Sequence, residues 1–278
     1  MMGAMTDAIP TPEAPAEPPV LLETSPSGVA TVRLNRPDAM NSLDVATKDL
    51  LLQTLRSVAE DPEVRCVVLT GSGRAFCVGQ DLREHVGLLK GAADELFRTV
   101  PEHYNPIVEL IATMPKPVIA AINGVAAGAG AAFAFAADFR LMVQEGGINL
   151  AFAGIALSCD SGSSWSLPRL VGPARAKELL LLPRTVPSGE CLDLGLVTRV
   201  LPADELDAAV DELAETLAAG PTLAYGCIRR AIAHSAAAPL SDALAREGEY
   251  MALTGASADH HAAVDAFLAK EKPVFTGR

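Results

Sequence analysis

Three short stretches carry residue types that could do chemistry. The first, Thr70-Gly71-Ser72-Gly73-Arg74-Ala75-Phe76-Cys77-Val78-Gly79-Gln80-Asp81, leaves an apolar run through a glycine-rich turn. Main-chain N–H groups there can face a ligand, because glycine lets it approach the backbone closely. The second, Asn123-Gly124-Val125-Ala126-Ala127-Gly128-Ala129-Gly130-Ala131-Ala132, runs from a turn into a helix. The first amides of such a helix lack partners and mark its positive end, so an oxyanion suits the position. Each stretch also has a plain reading, as a turn with unusual backbone angles or as tight helix-to-sheet packing. Neither contains the GK[ST] of a Walker loop. The third is Ser158-Cys159-Asp160-Ser161-Gly162-Ser163-Ser164-Trp165. Here Asp160 is either a general base or a helix N-cap whose pKa would be depressed.

The remaining reactive residues form no set. Five cysteines (Cys66, Cys77, Cys159, Cys191 and Cys227) are an odd number without a CxxC pair, which fits reduced thiols. His103, His234, His260 and His261 lack partners at ligand spacing, so no metal is expected.

These stretches need elements to position them. Apolar runs at Val29 to Leu34, Cys66 to Leu69, Pro117 to Ile122 and Arg140 to Val143 alternate with helical patterns from Ser42 or Leu43 to about Glu60 and from 129 to 137. This is repeated β/α organisation. In the first helix Asp44, Val45, Leu50, Leu51, Leu55 and Val58 are assigned to the inward face, and Lys48, Asp49, Gln53 and Arg56 to water. After Pro173 the pattern is almost purely helical: Ala174 to Leu182, Ala203 to Ala219, Leu223 to His234, Leu240 to Leu253 and Ala258 to Lys270. The reading is therefore a disordered proline-rich tail over 1–19, a core domain over 20–200 and a helical region over 201–278. That region must pack on the core or on a neighbouring subunit.

Composition narrows the partners. The 278 residues are 50% hydrophobic and 20% charged, and 22 basic against 34 acidic side chains leave a net charge of −12. Such a field repels nucleic acid and anionic membrane surfaces. The first basic residue is Arg33, so no secretory or mitochondrial leader is read, and with reduced cysteines a cytoplasmic location is expected. Pro117 to Ala137 carries no charge, but Asn123-Gly124, Gly128 and Gly130 interrupt it, so it reads as a buried strand, turn and helix rather than a membrane span.

Taken together, the motifs resemble the crotonase family, also called the enoyl-CoA hydratase and isomerase family. The resemblance rests on Asn35-Arg36-Pro37-Asp38-Ala39-Met40-Asn41-Ser42-Leu43, both glycine-containing loops, and Lys116-Pro117-Val118-Ile119-Ala120-Ala121-Ile122-Asn123-Gly124. It continues through Trp165-Ser166-Leu167-Pro168-Arg169-Leu170-Val171-Gly172, Asp193-Leu194-Gly195-Leu196-Val197, Ala266-Phe267-Leu268-Ala269-Lys270 and Lys272-Pro273-Val274-Phe275. It implies an α/β crotonase-like spiral of β-β-α repeats with a helical C-terminal trimerisation region. It further implies a homotrimer or hexamer (dimer of trimers), and an acyl-CoA thioester substrate with no cofactor beyond that coenzyme A. By position, the backbone N–H groups of Cys77 and Ala129 match the family's oxyanion donors; a nucleophilic Cys77 is the rival reading and lacks a neighbouring base. Arg36, Arg74, Ala75, Gly79, Asp81, Gly128 and Lys270 make up the candidate coenzyme A-binding set, with Lys272 as an alternative to Lys270.

The departures from the family pattern decide the chemistry. The two glutamates of a family hydratase fall on Ala132 and Phe152, neither of which can move a proton. Asp160 remains, at the place where dienoyl-CoA isomerases of the family carry a catalytic Asp. A single carboxylate suits double-bond migration, since one base can take a C2 proton and return it at C4. Isomerisation is thus the favoured expectation. Hydration by an unassigned group such as Glu145, Glu102 or Asp160, and a catalytically silent acyl-CoA-binding protein, are the alternatives. The segment from Leu82 to Asn105, with His85, is read as lining the acyl pocket, Ser158, Ser161, Ser163 and Ser164 as local backbone partners or acyl-group contacts, and Trp165 as pocket floor or core.

Overall fold

The apolar runs become strands of two sheets. The computed structural model describes residues 17–91 and 95–278. In chain order the strands are β1 (Val20–Thr24), β2 (Val29–Leu34), β3 (Cys66–Gly71), β4 (Ala75–Cys77), β5 (Val118–Ile122), β6 (Val125–Ala127), β7 (Phe139–Val143), β8 (Gly147–Asn149), β9 (Thr185–Pro187) and β10 (Arg199–Leu201). The helices are α1 (Val45–Glu60), α2 (Leu82–Gly91), α3 (Asn105–Thr113), α4 (Ala129–Ala136), α5 (Ser163–Leu181), α6 (Ser188–Asp193), α7 (Leu206–Ala218), α8 (Thr222–Ser235), α9 (Leu240–Gly255) and α10 (Ala258–Ala269).

One sheet has the order β1-β2-β3-β5-β7-β10, antiparallel only between β1 and β2; the other has the order β4-β6-β8-β9, antiparallel only between β8 and β9. The chain visits them in turn. β3 feeds β4 and then α2, β5 feeds β6 and then α4, and β7 feeds β8 and then α5. These are the expected β-β-α turns of a spiral. The large sheet is buried on both faces, as parallel strands require. Val67 and Leu69 of β3 point into a core shared with the second sheet and with helices α1, α3 and α4, whereas Cys66 and Val68 point into a core under α7. The two cores follow the strand's period of two.

Three sequence assignments change. The tail reading over residues 1–16 lies outside the described residues, but Pro18 and Pro19 already run beside β2, where Asn35 N donates to Pro19 O at 2.8 Å. In α1, Asp44 is the N-cap, its carboxylate accepting from Thr47 N at 2.9 Å, and Val45 is exposed. Lys48 is the opposite of the expectation: only 1% exposed, it reaches Glu84 of α2 at 2.9 Å. The helix expected from Ala174 to Leu182 is present: Gly172 (φ 76°) breaks α5 ahead of Pro173 into two helices, the first starting at Ser163 and the second ending at Leu181. Among the described residues no helix is long and apolar enough to cross a membrane.

The C-terminal helices are tied to the core by one buried cation. Arg229 of α8 donates to the carbonyls of Ile111, Met114 and Lys116, and pairs with Asp138 at 2.7 Å. Asp138 in turn accepts from Val118 N at 2.7 Å, so the same carboxylate anchors the start of β5.

Candidate active site

The spiral brings the ends of β4 and β6 side by side, and a cavity of about 200 Å³ opens above them. Its wall comes from the loop after β4, the start of α4, one face of α2, the segment 96–104 and the loop that precedes α5.

Two amides face this space. Gly79 O accepts from Leu43 N at 2.8 Å, and Asp81 N donates to Leu43 O at 3.1 Å. A trans peptide points its C=O and N–H in opposite directions, so the Gln80 N–H is turned away from Leu43. At the second loop, Gly128 O accepts from Ala132 N at 3.1 Å, which turns the Ala129 N–H out of the helix end. Among the described residues neither amide has a partner within the chain. The two loops touch: a Cβ built on Gly79 would lie 3.3 Å from Ala129 N. Gly79 (φ 82°) and Gly128 (φ 52°) adopt backbone angles that a side chain would strain.

Cys77, expected to supply the first amide, does not reach the wall. It belongs to β4, is fully buried, and faces Gly130, where an added Cβ would meet the Cys77 Cβ at 2.7 Å. Burial pushes its thiol up to about 12, which removes the nucleophilic reading as well. The unpartnered amide that this loop brings to the cavity belongs to Gln80, three residues on.

Asp160 lies on the cavity wall. It does not cap α5: the N-cap is Gly162, and no side chain caps that end. Its carboxylate instead accepts from Ser161 Oγ at 2.8 Å. Burial raises its pKa, and the hydrogen bond from Ser161 opposes that rise without cancelling it. The shift is opposite in sign to the one an N-cap carboxylate would show. Among the described residues it is the one carboxylate on this wall. Glu145 sits in an exposed turn, and Glu102 pairs with Arg98 at 2.7 Å on the surface. Phe152 is on the wall, whereas Ala132 is buried in α4.

His85 lines the cavity as expected and meets Phe97 edge-on, ring centroids 6.4 Å apart. Trp165 is neither floor nor core: it is 41% exposed, with the Arg169 guanidinium 4.1 Å from its ring centroid. Tyr104, not singled out from sequence, is buried on the wall and donates to Gln80 Oε1. Burial, reinforced by Asp160 nearby, pushes its phenol well above the ordinary range, so it remains a donor. The available signal was its place in the segment read as the acyl pocket.

A second cavity continues across Val78, Gln80 and Leu82, which both spaces share, toward Arg36, Ser42 and Arg83. Arg36 is there but occupied, pairing with Asp44 and Asp81 at 3.0 Å each. Burial of Asp81 works against ionisation, yet hydrogen bonds from Ser42 and Arg36 and from the amides of Glu84 and Arg83 hold its carboxyl below the usual range. Both residues therefore brace the loop, and the exposed cation on this wall is Arg83. Three expected coenzyme A residues line neither space. Arg74 is exposed, Ala75 O is taken by Asn41 and Asn123, and Lys270 ends α10 in the left-handed conformation.

The family model described as enoyl-CoA hydratase/isomerase matches residues 24–278. The chain is 40% identical to a 1,2-epoxyphenylacetyl-CoA isomerase of Escherichia coli over 90% of its own length and 96% of the relative's. It is 39% identical to a probable enoyl-CoA hydratase of Rhodobacter capsulatus over 90% of this chain and 95% of that one. A crystal structure of a putative enoyl-CoA hydratase/isomerase from Mycobacterium abscessus superposes with a TM-score of 0.89 at 44% identity, covering 93% of this chain and all (100%) of that one. With its β-β-α spiral and the match over nearly its whole length, the chain belongs to the enoyl-CoA hydratase/isomerase family, the crotonase superfamily.

Proposed function

We propose that this enzyme moves a double bond in an acyl-CoA thioester. The thioester oxygen accepts from the Gln80 and Ala129 amides, and the Asp160 carboxylate removes a proton from C2 of a 3-enoyl group. Electrons of the broken C–H bond form the C1–C2 double bond of a dienolate that keeps its C3–C4 double bond, and the displaced carbonyl pair rests on the oxygen between the two amides; the C2–C3 double bond forms as C4 is protonated. Protonated Asp160 then delivers its proton to C4 and leaves the 2-enoyl thioester. The observation that carries this reading is the pairing of two free amides with one carboxylate of raised pKa on the same wall. The relative named as an isomerase of an epoxidised acyl-CoA supports rearrangement of a coenzyme A thioester, without specifying the bond moved. Hydration would need a second proton-transferring carboxylate, and Glu145 and Glu102 are both turned elsewhere.

The second cavity would take the coenzyme A portion, with Arg83 as a phosphate partner. The same reading includes a cytoplasmic homotrimer or dimer of trimers that uses no cofactor beyond the coenzyme A of its substrate. The test is a screen of 2-enoyl, 3-enoyl and dienoyl thioesters with product position assigned by NMR. Bond migration that Asp160→Asn abolishes is the expected result; water addition that survives Asp160→Asn overturns the reading.

A further inference from the structure

Gln80 offers its main chain to the cavity, and its side chain is held with unusual completeness. Tyr104 Oη donates to Gln80 Oε1, which also accepts from Lys48 Nζ at 3.3 Å. Gln80 Nε2 donates to Glu84 Oε1 at 2.8 Å, and the same oxygen accepts from Lys48 Nζ at 2.9 Å. Glu84 Oε2 accepts from Val45 N at 2.7 Å. Residues of α1, α2 and the segment before α3 thus converge on one amide side chain. Lys48 is enclosed within this group, its Nζ 5.8 Å from the centroid of the Tyr104 ring.

Tyr104 arrives there by a local distortion. Val100–Tyr104 is a π-helical turn, and both end residues line the cavity. The wider π turn carries about one residue more than an α turn, and such turns concentrate at functional sites. Tyr104 has Phe133 of α4 behind it, ring centroids 6.2 Å apart, so the ring is braced against the helix that supplies the other donor. The phenol therefore connects the two amide-bearing loops mechanically.

We infer that Tyr104 is a positioning residue: by fixing the Gln80 side chain, with Lys48 and Glu84, it fixes the direction of the Gln80 main-chain N–H toward the substrate carbonyl. The inference rests on the oxyanion reading of the cavity given above. A donor held by rigid neighbours stabilises developing charge without reorganising, and a small misplacement at such a site costs up to about a hundredfold in rate.

The test compares wild type, Tyr104→Phe, Gln80→Leu and the double variant. One readout is kcat and KM on the thioester that the wild type turns over. The other is the absorption of bound cinnamoyl-CoA, whose conjugated thioester band moves to longer wavelength as its carbonyl is polarised. Each single variant is expected to lower kcat roughly tenfold to a hundredfold with KM within about threefold, and to shrink the red shift. The double variant is expected to be no worse than the worse single one, because both remove the same linkage. Multiplicative losses in the double variant, or single variants that keep the wild-type shift and kcat, overturn the role of Tyr104. Should Tyr104→Phe not fold, Gln80→Leu alone decides by the same two readouts. A wild type that binds cinnamoyl-CoA without any red shift removes the oxyanion reading itself, a separate failure.

Discussion

An aspartate held out of water is less stable as an anion in the folded chain than in the unfolded one. For Asp160, whose pKa burial raises, the folded state binds the proton more tightly. Its favourable contribution is present below the pKa of a free aspartate, about 3.9, and is lost as pH rises through the folded value. Asp160→Asn should therefore gain stability relative to wild type as pH rises from about 4 to neutrality, by thermal melts, while losing roughly a hundredfold to ten-thousandfold in kcat. A wild-type rate that falls on the acid side, with an apparent pKa above the free-aspartate value, would accompany it. At Cys77 the expectation runs the other way. With its thiol pushed up to about 12, Cys77→Ala should hold kcat within about threefold and leave iodoacetamide sensitivity unchanged. That Asp160 and Ala129 would meet at one cavity was anticipated through the family resemblance, with a carboxylate beside a glycine-containing helix start and a residue at a helix's first turn as the local signals. Gln80 was not, since where the three-residue β4 ends depends on its pairing with β6 and on the positive φ of Gly79.

Elements explain the rest of what could and could not be read. Four of the six large-sheet strands, β2, β3, β5 and β7, and the longer helices announce themselves in the hydrophobic pattern, and β2 spans Val29–Leu34, the run read from sequence; β1 and the three-residue β10 were not read. Strands β4, β6, β8 and β9 are three residues each, too short to show a period. Lys48 was assigned to water because its own helix gives no hint of Glu84, which arrives 36 residues later on α2. Close packing between α4 and β4 sets the distance between the two donor loops. A Cβ on Gly130 would lie 2.2 Å from Cys77 O, a backbone atom that cannot swing aside. Gly130→Ala is accordingly expected to destabilise by about 1–3 kcal/mol in urea titrations and to lower kcat by separating the loops.

At the scale of the molecule, the C-terminal helices show an apolar surface that a lone chain does not need. Leu240, Leu244, Met251, Phe267, Leu268 and Val274 are all exposed, Phe267 at 80%. Exposed apolar side chains in such number on one terminal region suit an interface. The proposed trimer would cover them, and Phe267→Glu is expected to shift the mass measured by light scattering toward the monomer. Retention of the wild-type mass would direct attention to another face. The burial of Lys48 has a chemical consequence as well. Amides that draw charge toward a thioester oxygen also make its carbon more open to attack by any amine within reach. Among the described residues no lysine lines either cavity, and the one tied to their shared wall is enclosed and ion-paired with Glu84. On the proposed reading, no lysine amine among the described residues stands on the cavity wall to be acylated by the bound thioester.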